Sequence, residues 1–449
     1  MNKKNILFIA TAFSPENAVG SVRTTKIVKF LVRNNYNITV ISPKLHNGSS
    51  LDYSIECEEL KQVGRITVPH SKLFESLLLK KRNKLLEKKS ATNFIVNKNK
   101  KSLVSTIKSQ FYIYVHFIYT ILRNLDWTRK VKKQISENID ISCYDAVISS
   151  YPSLSAHWIS SHLSKKHGLF WIADFRDPIN YEANSNAIII RINTYFQDKI
   201  INQSNFSTIV SNDFLKKINF KNKFDTNKLK YIPNGFDTDD LINKEIELDP
   251  SKKQLFKICY VGSLYGGKRN LEILFKTIKE LINENKIEIS KIEIIYAGKE
   301  FELLNVLSKK YNLKEILINK GFVSRLESMK IQSNSDLIVI ATWNTKFDKG
   351  VMTGKLYECL LTKKMVLGIV NGTIPNSELK RVITDINGGI VYEDSALNLT
   401  EEYLHFKDYI HEKYNEKEKT GKLTSTYNST IENFNYSKIT NSFINLLNE

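Results

Sequence analysis

Cysteine is scarce in this chain: 449 residues hold four (Cys57, Cys143, Cys259, Cys359), far apart and without a CxxC pair. That spacing excludes a disulfide framework and a structural zinc module, and it fits a reducing cytosol. Long apolar runs are lacking as well. No stretch reaches the ~18 consecutive apolar residues of a membrane span; the nearest, Phe111–Leu122 (FYIYVHFIYTIL), is too short and carries His116. The apolar start, Met1–Ala10, runs into Pro15 and Glu16 where a cleavage region would have small residues, so it reads as a buried strand. No complete GxGxxG or Walker A signature is present, and no RNA- or DNA-binding motif, so nucleic acid is not an expected partner.

What is there is apolar material and positive charge. With 42% hydrophobic residues the chain can build more than one core, and at roughly 100–200 residues per domain two domains is the simplest division. Lys and Arg number 66 against 47 acids, a net +19. The excess is concentrated: residues 71–133 hold sixteen Lys or Arg against Glu75, Glu87 and Asp126, and include the aromatic run at 111–122. Basic residues beside aromatics point to an anionic membrane surface, with a core helix as the alternative for 111–122.

Short apolar runs alternate with helical spacing along the chain. NILFIA (5–10), a loop over 11–21 containing Gly20, a helix over 22–34 and NITVIS (37–42) make a βαβ unit, which needs a parallel sheet. Further strands are expected at 145–149, 169–173 and 207–210. After the turn-rich YIPNGFD (231–237) a second series begins at FKICYV (256–261), with strands at 292–297, 316–319, 336–341 and 365–369. The fold expected is α/β with two doubly wound, Rossmann-like domains: 1–235, a linker at 236–255, 256–425, and a C-terminal helix in 426–449 packing back on the first domain.

In such sheets ligands collect at the carboxyl ends of the strands, where loop amides and helix starts favour negative charge. Candidate positions are Gly20 in the first domain and Gly262, Gly266 and Gly267 in the second, the latter followed by the cations Lys268 and Arg269. KGVMTGKLYECLL (349–361) places Gly354, Lys355 and Glu358 at a helix start. Lys355 and Glu358 then read either as phosphate and ribose contacts or as an i,i+3 surface pair. WIADFRDP (171–178) closes a strand with Asp174, Arg176 and Asp177, a set for acid/base or hydroxyl recognition, or a structural ion pair. His157, His162 and His167 are spaced by five, about 140° apart around a helix, and do not make a metal pair. DTDD (237–240) follows the boundary turn, so no metal site is expected there.

These motifs, in this order over more than 300 residues, resemble the retaining GT-B glycosyltransferases of family 4. Residues 13–23 look like that family's N-terminal glycine loop, 231–237 its IPNG(I/F)D linker, and 260–268 its G-x-L-x-x-x-K loop; YAGK (296–299), 321–323 and 335–339 match later strand ends. Asp126–Trp127, YDAVISSYPS (144–153) and WIADFRDP are similar to a bacterial surface-polysaccharide subgroup. The resemblance implies a nucleotide-diphosphate sugar on the second domain, a glycan or lipid-linked acceptor on the first, anomeric retention, no metal or other cofactor, and a location peripheral to the inner face of the plasma membrane. Carried over by position, Lys268 contacts the diphosphate and Glu358 the ribose. The 321–323 backbone (Gly321, Phe322, Val323) contacts the base, Gly20 the phosphate or sugar edge, and Lys355 a further phosphate or sugar group. Asp174 or Asp177 fills a polar catalytic role. Three positions depart from the family pattern. Ser263 stands for its Arg, which leaves Arg269 as the second charge. Gly350 stands for the first Glu of E-x7-E, and Ser149–Ser150–Tyr151 for its N-domain histidine. A non-hydrolysing sugar-nucleotide epimerase and a non-catalytic nucleotide-binding scaffold are the alternatives for this architecture.

Overall fold

The computed structural model describes residues 4–45, 49–76, 103–179, 186–219, 224–242, 255–346 and 348–449. The chain divides into two compact units. One comprises Met1–Val210, Ile218–Tyr231 and Phe443–Glu449; the other comprises Ser211–Lys217 and Ile232–Ser442.

The N-terminal unit is built on a seven-stranded sheet: β1 (Asn5–Ala10), β2 (Asn37–Pro43), β3 (Gly64–Val68), β4 (Ala146–Tyr151), β5 (Phe170–Phe175), β6 (Phe206–Ile209) and β7 (Leu229–Tyr231). Their order is β3-β2-β1-β4-β5-β6-β7, and every pairing is parallel. Ile6–Ala10 is wholly buried, as a central parallel strand covered on both faces must be. The helices of this unit are α1 (Val19–Arg33), α2 (Leu103–Asn138), α3 (Leu154–His167) and α4 (Ala187–Gln203), with α5 (Asn212–Asn219) divided between the units.

The C-terminal unit repeats the plan with β8 (Phe256–Val261), β9 (Ile292–Ala297), β10 (Leu317–Asn319), β11 (Leu337–Asn344), β12 (Met365–Gly372) and β13 (Gly389–Glu393), ordered β10-β9-β8-β11-β12-β13 and again parallel throughout. Its longer helices include α6 (Glu272–Asn283), α7 (Phe301–Lys310), α8 (Arg325–Ser333), α9 (Gly354–Thr362), α10 (Glu378–Asp385) and α11 (Leu399–Thr420). Side chains alternate along β8. Phe256, Ile258 and Tyr260 join Phe275 of α6 and Phe406 of α11 in one core; Cys259 and Val261 join Leu356 and Leu360 of α9 and Ile383 of α10 in another. Two cores on two faces are what keep an all-parallel sheet stable. The last helix, α12 (Tyr436–Asn448), ends in the N-terminal unit, where Phe443 lies under the Arg23 guanidinium and Lys4 donates to the Leu447 carbonyl at 2.9 Å.

The expected strands are present with ends shifted by up to three residues. Three more appear, each at a sheet edge: β3, β13 and the three-residue β7, which lies before the segment read as linker. Of the basic segment 71–133, residues 77–102 lie outside those described, as do 243–254 of the linker.

Candidate functional site

In an open parallel sheet a crevice forms where neighbouring strands send their connections to opposite sides. In the C-terminal sheet that point falls between β8 and β11. The loop after β8 meets the end of β11 there: the Tyr265 ring stands edge-on to Trp343, with centroids 5.4 Å apart, and Lys268 Nζ sits 5.3 Å over the Trp343 ring. Gly262, Gly266 and Gly267 hold φ of 143°, 63° and 91°, values that side chains resist.

The loop amides already hold an anion, and it belongs to the protein. Glu300, just after β9, accepts from Ser263 Oγ and Leu264 N at 2.6 Å and from Gly266 N at 2.7 Å. Burial pushes its pKa up, but the hydrogen bonds outweigh this and hold the carboxyl below its usual range. Ser263, in place of an arginine, is part of this clamp. Arg269 does not offer its charge openly, as the sequence suggested. It is 8% exposed, donates to the Ser263 carbonyl at 3.1 Å and stacks on Tyr265, so it fixes the loop's shape. Exposed Lys268 is the cation this loop presents to solvent.

Parallel pairing brings the ends of β9 and β10 to the same edge. Gly321, at φ 65°, turns the chain there and donates to Asn319 Oδ1 at 2.9 Å. The turn leaves Phe322 74% exposed, with Lys299 Nζ 3.9 Å over its ring, while Val323 packs on the core beneath. Further along, Thr353 caps α9 by accepting from Lys355 N, and open space surrounds Gly354 where a Cβ would stand. Lys355 Nζ lies 2.7 Å from Glu358 Oε2 and 3.0 Å from Ser328 Oγ; Gln332 Nε2 donates to the same carboxylate at 3.1 Å, and Arg325 Nε lies 3.8 Å away. The structure therefore brings Lys355 and Glu358 together and orders the glutamate from three sides. In DTDD, Asp240 pairs with Arg325 at 3.1 Å and buried Asp237 accepts from Asp239 N.

Gly350 has a physical reason not to be a glutamate. Its φ is 74°, and a Cβ would lie 2.3 Å from Ser211 Oγ. Buried Glu378 anchors that neighbouring segment, accepting from the Ser211 hydroxyl, from Asn212 N at 2.8 Å and from Asp213 N at 3.1 Å.

In the N-terminal unit the structure moves Asp174 out of the catalytic set. It is fully buried, and its oxygens accept from Arg23 (2.8 and 3.1 Å), Thr208 (2.6 Å) and Ser150 (3.1 Å). Burial alone would raise its pKa; the Arg23 charge and these bonds bring it below the usual value, so it is an ionised structural partner with no free face for substrate. Asp177 remains part-exposed, 3.2 Å from Arg176 Nε. At Gly20 a Cβ would lie 2.6 Å from Arg176 Nη1, the end of a flexible side chain, and that nitrogen, shielded from solvent, has no hydrogen-bond partner among the described residues. Arg176 is thus the residue at this strand end with an unmet donor, and spacing alone did not single it out. Nor did it single out Glu300, Trp343, Arg325 or Gln332. For Glu300 a signal existed, since it is the first acid after the apolar run of β9.

Two parallel, doubly wound sheets, each with polar groups gathered at its switch point, define the GT-B fold. The comparisons with solved structures agree. The chain is similar to sucrose-phosphate synthase from Thermosynechococcus elongatus at 10% identity and TM-score 0.57, over 99% of this chain and 98% of that one. It is similar to the lipopolysaccharide outer core galactosyltransferase WaaB at 13% and 0.54, over 98% and 99%, and to a glycosyltransferase from Rickettsia africae at 15% and 0.52, over 100% and 98%. A protein described as a UDP-N-acetylglucosamine 2-epimerase from Listeria monocytogenes also shares the fold, at 10% and 0.50, over 99% and 95%. No family model and no curated protein sequence matches the chain.

Proposed function

We propose that the protein is a nucleotide-diphosphate-sugar glycosyltransferase similar to family 4, transferring a hexosyl or related group with retention to a lipid-linked glycan in bacterial surface-polysaccharide synthesis. The observation that carries this reading is the carboxyl edge of the C-terminal sheet. There an exposed lysine at the switch point, an exposed aromatic turn and a glutamate ordered at a helix start lie along one rim. Lys268 is the cation for the diphosphate, Glu358 the acceptor of ribose hydroxyl protons, and Phe322 with Lys299 the surface beside the base. Stabilising the departing diphosphate by the Lys268 cation is the step this rim performs; we place no metal in it. Within the N-terminal unit, Asp177 beside Arg176 is the polar pair of this reading. The excess of Lys and Arg in segment 71–133 supports a location at the cytoplasmic face of the membrane. The epimerase reading shares the fold and differs in needing no acceptor.

The test is sugar transfer from a panel of nucleotide-sugar donors. Lys268→Ala and Glu358→Ala are each expected to cut transfer at least 100-fold with an unchanged melting curve. Full activity in either variant removes that residue from the site, and donor turnover without any acceptor selects the epimerase.

A further inference from the structure

The N-terminal sheet has its own switch point, between β1 and β4, and two hollows adjoin there. The larger, about 660 Å³, is walled by Ile113, Phe117 and Ile121 of α2, Leu154 after β4, Ile179, and Ile189 of α4. That volume lies within the ~300–1,000 Å³ usual for small-molecule sites. The smaller, about 160 Å³, is bounded by the loop after β1 and the ends of β2 and β3, and carries Lys44 and Arg65. Thr11, Glu16, Pro43, His70 and Arg123 line both. An apolar volume and a cationic one thus share a wall.

The charges on that wall are unequal. Arg65 is answered by Glu56 at 2.8 Å and stacks on Phe13. Arg123 feels the charge of Glu16 but makes no such bond: its Nε is shielded from solvent and has no hydrogen-bond partner among the described residues. Glu16 is the acid lining both hollows; burial drives its pKa up and the charge of Arg123 opposes this. A shielded guanidinium donor without an acceptor calls for an anion. A free sugar would leave the apolar walls of the larger hollow bare. A free phosphate would not use that hollow at all, and a neutral lipid would leave Arg123 unmet. The helix supplying the apolar wall has a second apolar face, with Phe111, Val115, Ile118 and Leu122 between 47% and 70% exposed, so a hydrocarbon chain and a bilayer would meet the same helix from two sides.

We propose that the two hollows form one site for a long-chain alkyl or prenyl phosphate, its phosphate beside Arg123 in the smaller hollow and its chain along the inner face of α2 in the larger. As the anchor of an acceptor, this rests on the transferase reading; as a binding site it does not, and the test uses neither nucleotide nor turnover. Full-length protein is titrated calorimetrically with decyl phosphate, decanol and inorganic phosphate. Decyl phosphate is expected to bind at least tenfold more tightly than either of the others. Arg123→Ala should bring it to the level of decanol, with Arg123→Lys partly restoring it, and Phe117→Asp should weaken it at least tenfold while sparing inorganic phosphate; thermal melts show whether each variant is folded. Equal binding of decanol, or of inorganic phosphate, or no loss in a folded Arg123→Ala, overturns the proposal. If Arg123→Ala does not fold, Phe117→Asp alone decides. Protein that binds decyl phosphate and transfers no sugar overturns the transferase reading and leaves this site standing; a transferase that ignores decyl phosphate does the reverse.

Discussion

Burial acts in opposite senses on two groups of the N-terminal unit. Asp174 keeps its charge because Arg23 lies against it, and two further donors, Ser150 and Thr208, complete its shell. Breaking such a pair from one side strands a charge in the interior, at a cost of about 3–5 kcal/mol. His157 is fully buried among Tyr151, Trp171 and Phe175, with Nδ1 2.7 Å from Ser149 Oγ. Burial lowers its pKa from 6.5 to about 3, and the nearby Asp174 charge opposes this only in part. The sign follows from linkage: between these values the unfolded chain takes up a proton that the folded chain refuses. His157 therefore favours the neutral-pH fold fully above pH 6.5, and that stability is lost as pH falls toward 3, by up to about 1.4 kcal/mol per pH unit. Urea midpoints of wild type and His157→Gln at pH 7 and 4.5 check it. The variant is expected to lose less stability between the two pH values, whatever its level at pH 7, and parallel curves would refute the assignment.

At the scale of the element, α2 departs most from the ordinary pattern of one apolar stripe. Ile113, Phe117 and Ile121 face the larger hollow; Phe111, Val115, Ile118 and Leu122, at i, i+4, i+7 and i+11, form a second stripe that is exposed. Among the described residues no helix is long and apolar enough to cross a membrane, so the second stripe suits contact with a bilayer surface. Val115→Asp with Ile118→Asp is expected to weaken sedimentation with anionic vesicles at least tenfold and to leave the melting temperature within about 2 °C, since neither side chain is in a core. Undiminished vesicle binding would take α2 out of the membrane contact.

Legibility in the sequence followed burial. NILFIA, FKICYV and DLIVIA could be read because strands covered on both faces are continuously apolar. Strand β3 escaped because it is an edge strand with Val68 alone fully buried, and β13 because it opens on glycine and leaves its first two residues half-buried. At the candidate site, Lys268 was readable as a cation after a strand and Glu358 as an acid at a helix start, while Gly321 came from the family resemblance. Their partners were not readable: Gln332 reaches Glu358 across 26 residues, and Glu300 reaches Gly266 across 34, and no local spacing encodes such pairs. The fate of Asp174 was hidden for the same reason, since Arg23 lies 151 residues away.

Taken whole, the molecule carries two doubly wound sheets with the same arrangement about their switch points, the first polar and apolar by turns and the second cationic and aromatic. A ligand that binds only the native state stabilises the unit that holds it, by about 2.7 kcal/mol at a hundred times its Kd. If each unit is a separate cooperative body, the ligand raises the transition of that unit and moves the other little. A calorimetric panel of UDP, GDP, ADP and CMP with their sugar conjugates is therefore expected to show one base that raises one transition of the wild-type protein. The shift should be lost in Lys268→Ala and Glu358→Ala, unchanged by EDTA, and retained in Arg123→Ala. Each comparison removes a different support. A shift abolished by EDTA would bring a metal into the diphosphate site, and a shift abolished by Arg123→Ala would join the two sites in one. If no nucleotide moves either transition, the rim of the C-terminal sheet is not a donor site, and the fold has been kept for a purpose other than transfer.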